Sequence, residues 1–246
     1  MPTTTAPPSA PARREVAAPS RRTAFLAGAL YLLTFAASIP ALLVLDPVLS
    51  DPGYVVGPGA DVRVAAGCLL LVTNAFACAG TAVVLHPVVE RWSRTLALGF
   101  VASRVLEAAI VVVGALGLLV VVMLRREVGG PGAADPEGLV TTAAAFVAVH
   151  DTSFQLVPVM AVANALLLGT LVYRSRLVPR VIPLLGLVGA APLLAASVAT
   201  VLGANDQFSA LSLIALPGIF FWELSFGVYL VVKGFRPSPV AAGRPA

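Results

Sequence analysis

Charged residues interrupt long apolar stretches of this sequence, and an arginine–glutamate pair is the clearest case. Arg104 and Glu107 are three residues apart, so their side chains share one face of a helix. Glu223 is a second acidic residue within an apolar stretch. A charged side chain near the centre of a bilayer costs at least about 2.5 to 3.5 kcal/mol, and such residues usually face a bundle interior and pair with another group. One guanidinium with two carboxylates can bind a ligand or carry a proton, so these residues form a candidate site.

His150 and Asp151 form a second polar pair in a different apolar stretch. Because successive residues on a helix point about 100° apart, the two side chains do not face each other. Ser153 follows closely, but no Gly-x-Ser-x-Gly motif surrounds it. The sequence has only two histidines, His86 and His150, and it contains no Cys-x-x-Cys and no His-x-x-x-His. We therefore predict no catalytic residue, no metal and no cofactor, and we keep an intramembrane hydrolase only as an alternative.

The composition predicts that these residues lie in a membrane protein. Of the 246 residues, 59% are hydrophobic and 11% are charged, against about 45 to 50% and about 25% in soluble domains. A soluble fold could not remove so much apolar surface from water. The net charge of +4 arises from basic residues scattered between the apolar stretches, so we predict no nucleic-acid partner.

Six apolar stretches are long enough to cross a bilayer, which requires about 20 residues. None alternates in polarity as the strands of a membrane barrel do, whereas a helix satisfies its own backbone hydrogen bonds. We therefore predict an all-α polytopic membrane protein, a bundle of six transmembrane helices. The predicted spans are 23–45, 62–85, 95–124, 139–173, 181–202 and 208–232. Arg21-Arg22 resembles a twin-arginine export signal, but the apolar run after it is longer than a signal peptide requires, so we predict an uncleaved first helix.

The distribution of basic residues predicts the orientation of the helices. Twelve Lys and Arg residues fall on the side of the termini, and three fall in the connections on the other side. Because cytoplasmic connections carry the excess of basic residues, we predict both termini in the cytoplasm and the bundle in the inner (plasma) membrane. We predict a disordered cytoplasmic tail at 1–22, a six-helix transmembrane domain at 23–233 and a second disordered cytoplasmic tail at 234–246.

Counted from the predicted helix ends, charged residues of two helices lie at the same depth. Arg104 and Glu223 each lie ten residues from a basic residue at the predicted cytoplasmic end of the helix, Arg94 and Lys233 respectively. At 1.5 Å per residue, both lie roughly 15 Å from that surface. We therefore predict one buried polar site that binds a ligand. Its candidate residues are Arg104, Glu107, His150, Asp151 and Glu223, with Tyr31, Asn74 and Asn164 as hydrogen-bonding partners.

Two classes of function fit these residues. In the first, the protein binds or transports a small or amphiphilic molecule, with the lipid bilayer as its environment. In the second, Arg104 is neutralised by Glu107 or Glu223 only to hold helices together in a structural or regulatory scaffold. Two carboxylates for one guanidinium leave a surplus charge that a brace does not need. The surplus charge favours the first class.

Several ordered motifs between residues 20 and 237 resemble those of one membrane family. They are Tyr31-Leu-Leu-Thr-Phe-Ala-Ala-Ser-Ile-Pro40, Leu45-Asp-Pro-Val-Leu49, Ser103-Arg-Val-Leu-Glu107, Tyr173-Arg-Ser-Arg-Leu-Val-Pro-Arg180, Gly186-Leu-Val-Gly189, Trp222-Glu-Leu-Ser-Phe-Gly227 and Lys233-Gly-Phe-Arg-Pro237. The family is a bacterial six-helix membrane family, domain of unknown function 4386. The resemblance implies six spans and an Arg-x-x-Glu in the third span like Arg104 and Glu107. It also implies a polar His-containing turn in the fourth span like His150 and a Glu in the sixth like Glu223, but no particular activity.

Overall fold

Six long helices make up the structure, a computed structural model that describes residues 15–16, 19–128 and 135–239. The helices are α1 Arg21–Ser50, α2 Asp61–Val89, α3 Arg94–Glu127, α4 Pro136–Ser175, α5 Val181–Val201 and α6 Ala210–Val232. Two-residue strands, β1 Glu15–Val16 and β2 Ser238–Pro239, pair antiparallel near the chain ends. All six helices are long and apolar enough to cross a membrane. The predicted all-α bundle of six spans is therefore confirmed.

Serine residues cap the first turns of α1, α3 and α6. The side-chain oxygens of Ser20, Ser93 and Ser209 each accept a hydrogen bond from the backbone N–H three residues further on. Such caps satisfy amide groups that have no partner within the helix. Every helix end lies within five residues of the predicted end of its span, and the largest difference is at Ser50.

Both ends of the bundle's chain lie on one face, because the chain crosses from side to side six times. We call this face, which carries the start of α1 and the end of α6, the termini face. Its side of the membrane stays a prediction. The two tails predicted as disordered, 1–22 and 234–246, lie largely outside the described residues, so their state also stays a prediction.

The six helices form a closed ring in chain order. Each helix packs against the next one, and α6 packs against α1. Arg21 fastens this last contact, because its guanidinium donates to the carbonyl oxygens of Leu230 and Val232 at 2.9 and 3.1 Å. These carbonyls lie at the end of α6, where backbone acceptors lack helical partners and a cation interacts favourably with the helix dipole. The ring leaves a central space that all six helices line.

The contact between α1 and α6 is tight in the half of the bundle near the termini face. Gly28 lies so close to α6 that a Cβ at this position would be 2.6 Å from the carbonyl oxygen of Gly227. Glycine is needed there because any side chain would push the two helices apart. Further along, Phe35 and Phe220 meet edge to face with ring centroids 5.2 Å apart. We call the stretch between these two contacts the closed seam.

Buried apolar side chains form two clusters, one in each half of the bundle. The cluster near the termini face contains side chains from all six helices, among them Phe100 and Trp222. The second cluster, which includes Ala108, contains side chains from α1 to α4 and from the connection between α1 and α2. On α3, Arg104 and Glu107 lie between Phe100 and Ala108. These charged side chains, with the groups around them, form a polar layer between the two apolar clusters.

The α5–α6 hairpin is shorter than the helices around it. α4 has 40 residues and is about 60 Å long, whereas α5 has 21 residues and is about 32 Å long. The α5–α6 connection ends beside the middle of α4, where Gln207 Nε2 donates to the carbonyl oxygen of Phe154 at 3.3 Å. That carbonyl needs a partner because Pro158, four residues later, has no N–H to donate to it. The bundle is therefore complete near the termini face and lacks α5 and α6 beyond Phe154.

Candidate functional site

Arg104 is the centre of the polar layer. Its side chain is 1% exposed, and its guanidinium carbon lies 4.9 Å from the centroid of the Tyr31 ring. Arg104 Nη1 donates to Glu107 Oε2 at 2.7 Å, and Nη2 donates to Glu223 Oε1 at 3.3 Å across the ring of helices. Nη1 also lies 3.9 Å from the sulfur of Cys78. Side chains from α1, α2, α3 and α6 thus surround one guanidinium.

Glu107 is the firmly held partner of Arg104. Its Oε2 accepts the hydrogen bond from Arg104 and a second one, at 2.6 Å, from Asn164 Nδ2 of α4. Glu107 and Asn164 are both buried. Hydrogen bonds to an ionised group are shorter and stronger than those between neutral groups. Two such bonds from different helices fix this carboxylate as the counter-ion of Arg104.

Glu223 is held less completely. Within the described residues its only hydrogen bond is the 3.3 Å contact with Arg104 Nη2. Its side chain is 15% exposed, about twice as much as the 7% of Glu107, and it lines the central space. When both carboxylates are ionised, the cluster with Arg104 carries one excess negative charge. Glu223 is therefore the carboxylate that a ligand or a proton can reach.

Counted from the ends of the helices on the termini face, polar side chains of five helices lie at about one depth. Tyr31, Arg104 and Glu223 each lie nine or ten residues from the helix end on the termini face, which corresponds to roughly 15 Å. Cys78 and Asn164 each lie eleven residues from that face, about 16 Å. Five helices thus contribute to a single layer.

A cavity of about 360 Å³ lies next to this layer, on the side away from the termini face. Arg104, Glu107 and Glu223 line its inner end, which we call the floor. Its walls are mostly apolar, and its volume falls within the roughly 300 to 1,000 Å³ that is usual for small-molecule sites. Besides Cys78 and His150, the further polar lining residues are uncharged: Thr34, Ser38, Asn74, Ser153, Gln155, Ser197, Thr200, Gln207 and Ser212.

The cavity reaches the surface of the bundle between α1 and α6, beyond the closed seam. Large apolar side chains from both sides of this gap line the cavity and are also 40 to 72% exposed. We call them the mouth. The residues of the mouth are Ile39, Leu42, Phe208, Leu213 and Leu216. Because the mouth is apolar and lies between two helices that are long and apolar enough to cross a membrane, we expect it to face lipid.

His150 and Asp151 lie on different sides of α4. His150 is buried, lines the cavity and stacks on the ring of Phe154. Its neighbour on α3 is Gly114, seven residues beyond Glu107, which places His150 roughly 10 Å from the floor along that helix. Asp151 is exposed and does not line the cavity. The structure therefore brings four of the five candidate residues to one cavity and leaves Asp151 outside it.

The hydrolase alternative depends on side-chain arrangements around His150. A serine nucleophile needs a base within hydrogen-bonding distance. His150 and Ser153 both line the cavity, but Nδ1 of His150 has no hydrogen-bond partner among the described residues. In the ranges that the structure describes, no three His, Cys, Asp or Glu side chains are grouped to hold a metal ion.

The three polar residues predicted as hydrogen-bonding partners have different roles. Asn164 donates to Glu107, as described, and Asn74 lines the cavity and accepts a weak hydrogen bond from Cys78 at 3.9 Å. Tyr31 contacts Arg104 through the face of its ring. The contact between Cys78 and Arg104 was not predicted. The sequence feature that could have indicated this contact is the depth of Cys78 on α2, which matches that of Arg104.

Comparison with known proteins finds one family for this chain. The family model described as "Domain of unknown function (DUF4386)" matches residues 26–234. The matched range extends from the first turns of α1 to the end of α6 and includes every residue of the polar layer. It confirms the resemblance seen in the sequence motifs. No curated protein and no solved structure matches the chain.

Proposed function

We propose that this chain, which belongs to the family described as domain of unknown function (DUF4386), binds or transports a small or amphiphilic molecule in its central cavity. The chain is a multi-pass membrane protein with six apolar helices. We place it in the inner (plasma) membrane with both termini in the cytoplasm, because twelve Lys and Arg residues lie on the side of the termini and three on the other.

The observation that carries this proposal is the position of the charged layer at the floor of a cavity. All six helices line that cavity. Ionisable residues inside a membrane are costly, and they commonly mark the path of a substrate or an ion. A site with mostly apolar walls and a few convergent polar groups is also the usual form of a small-molecule pocket.

The alternative, a scaffold in which the charges only hold helices together, accounts less well for Glu223. Glu107 already neutralises Arg104 within α3, and Asn164 joins Glu107 to α4, with bonds of 2.7 and 2.6 Å respectively. Glu223 adds a second negative charge, makes one longer bond and faces the cavity. A brace is not improved by an extra carboxylate in a low-dielectric site, because each buried ion carries a desolvation cost.

Filling the cavity tests the proposal. Ala161 of α4 lines the cavity, and Ala148 of the same helix is exposed and does not. We expect Ala161→Phe to displace the bound molecule and Ala148→Phe to retain it. The measurement is native mass spectrometry of each protein after purification in detergent, together with analysis of the organic extract. The proposal is wrong if wild type and Ala161→Phe carry the same molecules in the same amounts while both remain folded.

A charge swap separates a binding site from a brace. In the double variant Arg104→Glu with Glu223→Arg, opposite charges still meet across α3 and α6. If the swap restores folding relative to each single variant but the bound molecule is lost, the residues act as a site. If folding and the bound molecule are both retained, the residues act as a brace.

The orientation is tested with reporters that are active on only one side of the membrane. A reporter fused after Ala246 and one inserted at Gly53, between α1 and α2, are expected to lie on opposite sides. We expect a cytoplasmic reporter to be active only at Ala246. Activity of that reporter at Gly53 instead would reverse the proposed orientation and leave the binding proposal intact.

A further inference from the structure

We infer that the occupant of the cavity is a single-chain amphiphile with a protonated amine head group, which enters from the lipid between α1 and α6 and places its amine beside Glu223. This inference rests on the proposed function and adds to it the chemical class of the ligand and its route. Three features of the cavity carry it: two carboxyl groups for one guanidinium at the floor, the aromatic rings near Glu223, and the apolar mouth.

The two carboxyl groups at the floor favour a cationic head group over an anionic one. Arg104 is 1% exposed, and Glu107 and Glu223 occupy its two terminal nitrogens. An anionic head group would therefore meet two carboxylates before it reached the guanidinium. Glu223, by contrast, faces the cavity and has bonding capacity left within the described residues. A protonated amine beside it would neutralise the excess charge and donate hydrogen bonds to its free oxygen.

Aromatic rings next to Glu223 favour an organic cation. Phe220 lies three residues before Glu223 on α6, so the two side chains share a helix face. Phe220 contacts Phe35 of α1, and both rings line the cavity. Aromatic faces attract alkylammonium groups through their quadrupoles, and the attraction grows when water is excluded. The closed seam ends at this pair, so the head group of an entering molecule would stop there.

The rest of the cavity suits one hydrocarbon chain. Glu223 and Leu213 of the mouth are ten residues apart on α6, about 15 Å along the helix. The walls between them are mostly apolar, and the mouth opens to lipid through exposed side chains on both helices. A volume of about 360 Å³ is near the lower end of the range for ligand sites. We therefore assign one alkyl chain, rather than the two chains of a phospholipid, to this space.

Photo-crosslinking in lipid nanodiscs tests the inference. The probe is dodecylamine with a diazirine near the end of its chain, and the matched probe is dodecanoic acid with the same group. We expect the amine to label Ile39, Leu42, Leu213 or Leu216, as mapped by mass spectrometry of peptides. We expect excess dodecylamine, but not excess butylamine, to compete, because the short amine lacks a tail.

Matched variants locate the head group and the route. Glu223→Gln is expected to lower labelling by the amine about tenfold, because it removes a hydrogen-bonded charge pair. Asp61→Asn, which removes another carboxylate bonded to an arginine, is expected to leave labelling unchanged. Leu42→Trp narrows the mouth and should lower labelling, whereas Leu43→Trp adds the same ring to the adjacent lipid-facing position, which does not line the cavity.

The outcomes separate this inference from the proposed function. Equal labelling of wild type and Glu223→Gln by the amine, with both proteins folded, overturns the inference. Labelling of the mouth by the acid alone also overturns it, but supports a bound amphiphile. If neither probe labels the mouth while Ala161→Phe still loses a bound molecule, only the class and route are wrong. If Ala161→Phe loses nothing either, both proposals fail.

Discussion

Two arginines in this protein are surrounded by similar groups, but the two clusters differ in how many hydrogen-bond donors and acceptors remain unpaired. Arg104 lies in the polar layer, and Arg125 lies at the end of α3 away from the termini face. Each donates to a carboxylate on another helix, Glu223 and Asp61 respectively. Each also lies over a tyrosine ring, at 4.9 Å from the centroid for Arg104 and 5.8 Å for Arg125.

The Arg125 cluster is fully bonded. Arg125 Nη1 donates to Asp61 Oδ2 at 2.8 Å, and Nε and Nη2 donate to the carbonyl oxygen of Gly57 at 3.1 and 2.8 Å. The other oxygen of Asp61 accepts a hydrogen bond from the Tyr54 hydroxyl at 3.0 Å. Arg126 adds a second cation 3.8 Å from the same carboxylate. Nε, Nη1 and Nη2 of Arg125 therefore fasten α3 to the α1–α2 connection and to the first residue of α2.

The Arg104 cluster has more carboxyl groups than guanidinium groups, the reverse of the Arg125 cluster. It contains two carboxylates and one guanidinium, and Arg104 Nε has no hydrogen-bond partner in the described part of the chain. Glu223 keeps an oxygen free beside a cavity. A cluster that only joins helices is expected to use its donors and acceptors, as the Arg125 cluster does. The difference supports the proposal that the Arg104 cluster, and not the Arg125 cluster, binds the ligand.

The largest expected effect comes from removing the arginine of the polar layer. Arg104→Met leaves two carboxylates buried without a cation, and we expect a loss of about 3 to 5 kcal/mol in the free energy of unfolding. The measurement is unfolding in mixed detergent micelles, followed by circular dichroism. Adding Glu223→Gln to Arg104→Met should recover part of the loss, because one uncompensated charge is removed. A loss no larger than that of Arg125→Met would contradict the contrast between the clusters.

Substitutions of the two glutamates of the polar layer are expected to differ in effect, one mainly on stability and the other mainly on ligand binding. Glu107→Gln weakens two short bonds from different helices, and we expect it to cost about 1.5 to 3 kcal/mol of unfolding free energy. Glu223→Gln weakens one longer bond, and we expect it to cost less than about 1 kcal/mol while lowering ligand binding about tenfold. The same micelle unfolding measurement, with native mass spectrometry, gives both values. The reverse order of stabilities would make Glu223 the structural partner.

Much of the fold and of the polar layer could be predicted from the sequence, because they depend on long apolar runs and on local spacing. Six spans follow from the length of the apolar stretches, which dominates in a bilayer. Arg104 and Glu107 are three residues apart, so any helix brings them together. Counting from the helix ends placed Glu223 at the same depth, and the structure joins it to Arg104.

Other features could not be predicted, because they depend on the rotation and neighbours of each helix. α4 has apolar residues on all sides, so the sequence did not show that Asp151 faces outward while His150 faces the cavity. The mouth depends on where the α5–α6 connection ends. Gln207 sets that position by bonding the carbonyl of Phe154, a contact between residues 53 positions apart. No local pattern indicates such a contact.

Removing the arginine of the second cluster is expected to have a smaller and salt-dependent effect. We expect Arg125→Met to cost about 1 to 2 kcal/mol, because the lost bonds involve a charged group that is partly exposed. Since exposed charges are screened by salt, the difference from wild type should shrink at high ionic strength. The loss caused by Arg104→Met should not shrink. Unfolding in micelles at low and high salt checks both, and equal salt dependence would contradict the comparison.

The smallest expected effect concerns Tyr54, the tyrosine of the Arg125 cluster. Tyr54→Phe removes the hydrogen bond to Asp61 and is expected to cost about 1 kcal/mol of unfolding free energy. Burial, followed by the hydrogen bond to Asp61, raises the pKa of Tyr54 from 10.0 to about 12.

The raised pKa of Tyr54 gives this last prediction a pH dependence with a definite sign. The folded state holds the tyrosine proton more tightly than the unfolded state, so the stabilisation is complete below about pH 10 and is lost as the pH rises towards 12. Wild type should therefore lose its stability advantage over Tyr54→Phe in this interval, as measured by micelle unfolding at fixed salt. Because Tyr54→Phe keeps every other titratable group, the difference between the two proteins isolates Tyr54. An advantage that stays constant up to pH 12 would mean that Tyr54 is not held by Asp61, and that the Arg125 cluster is less completely bonded than its geometry indicates.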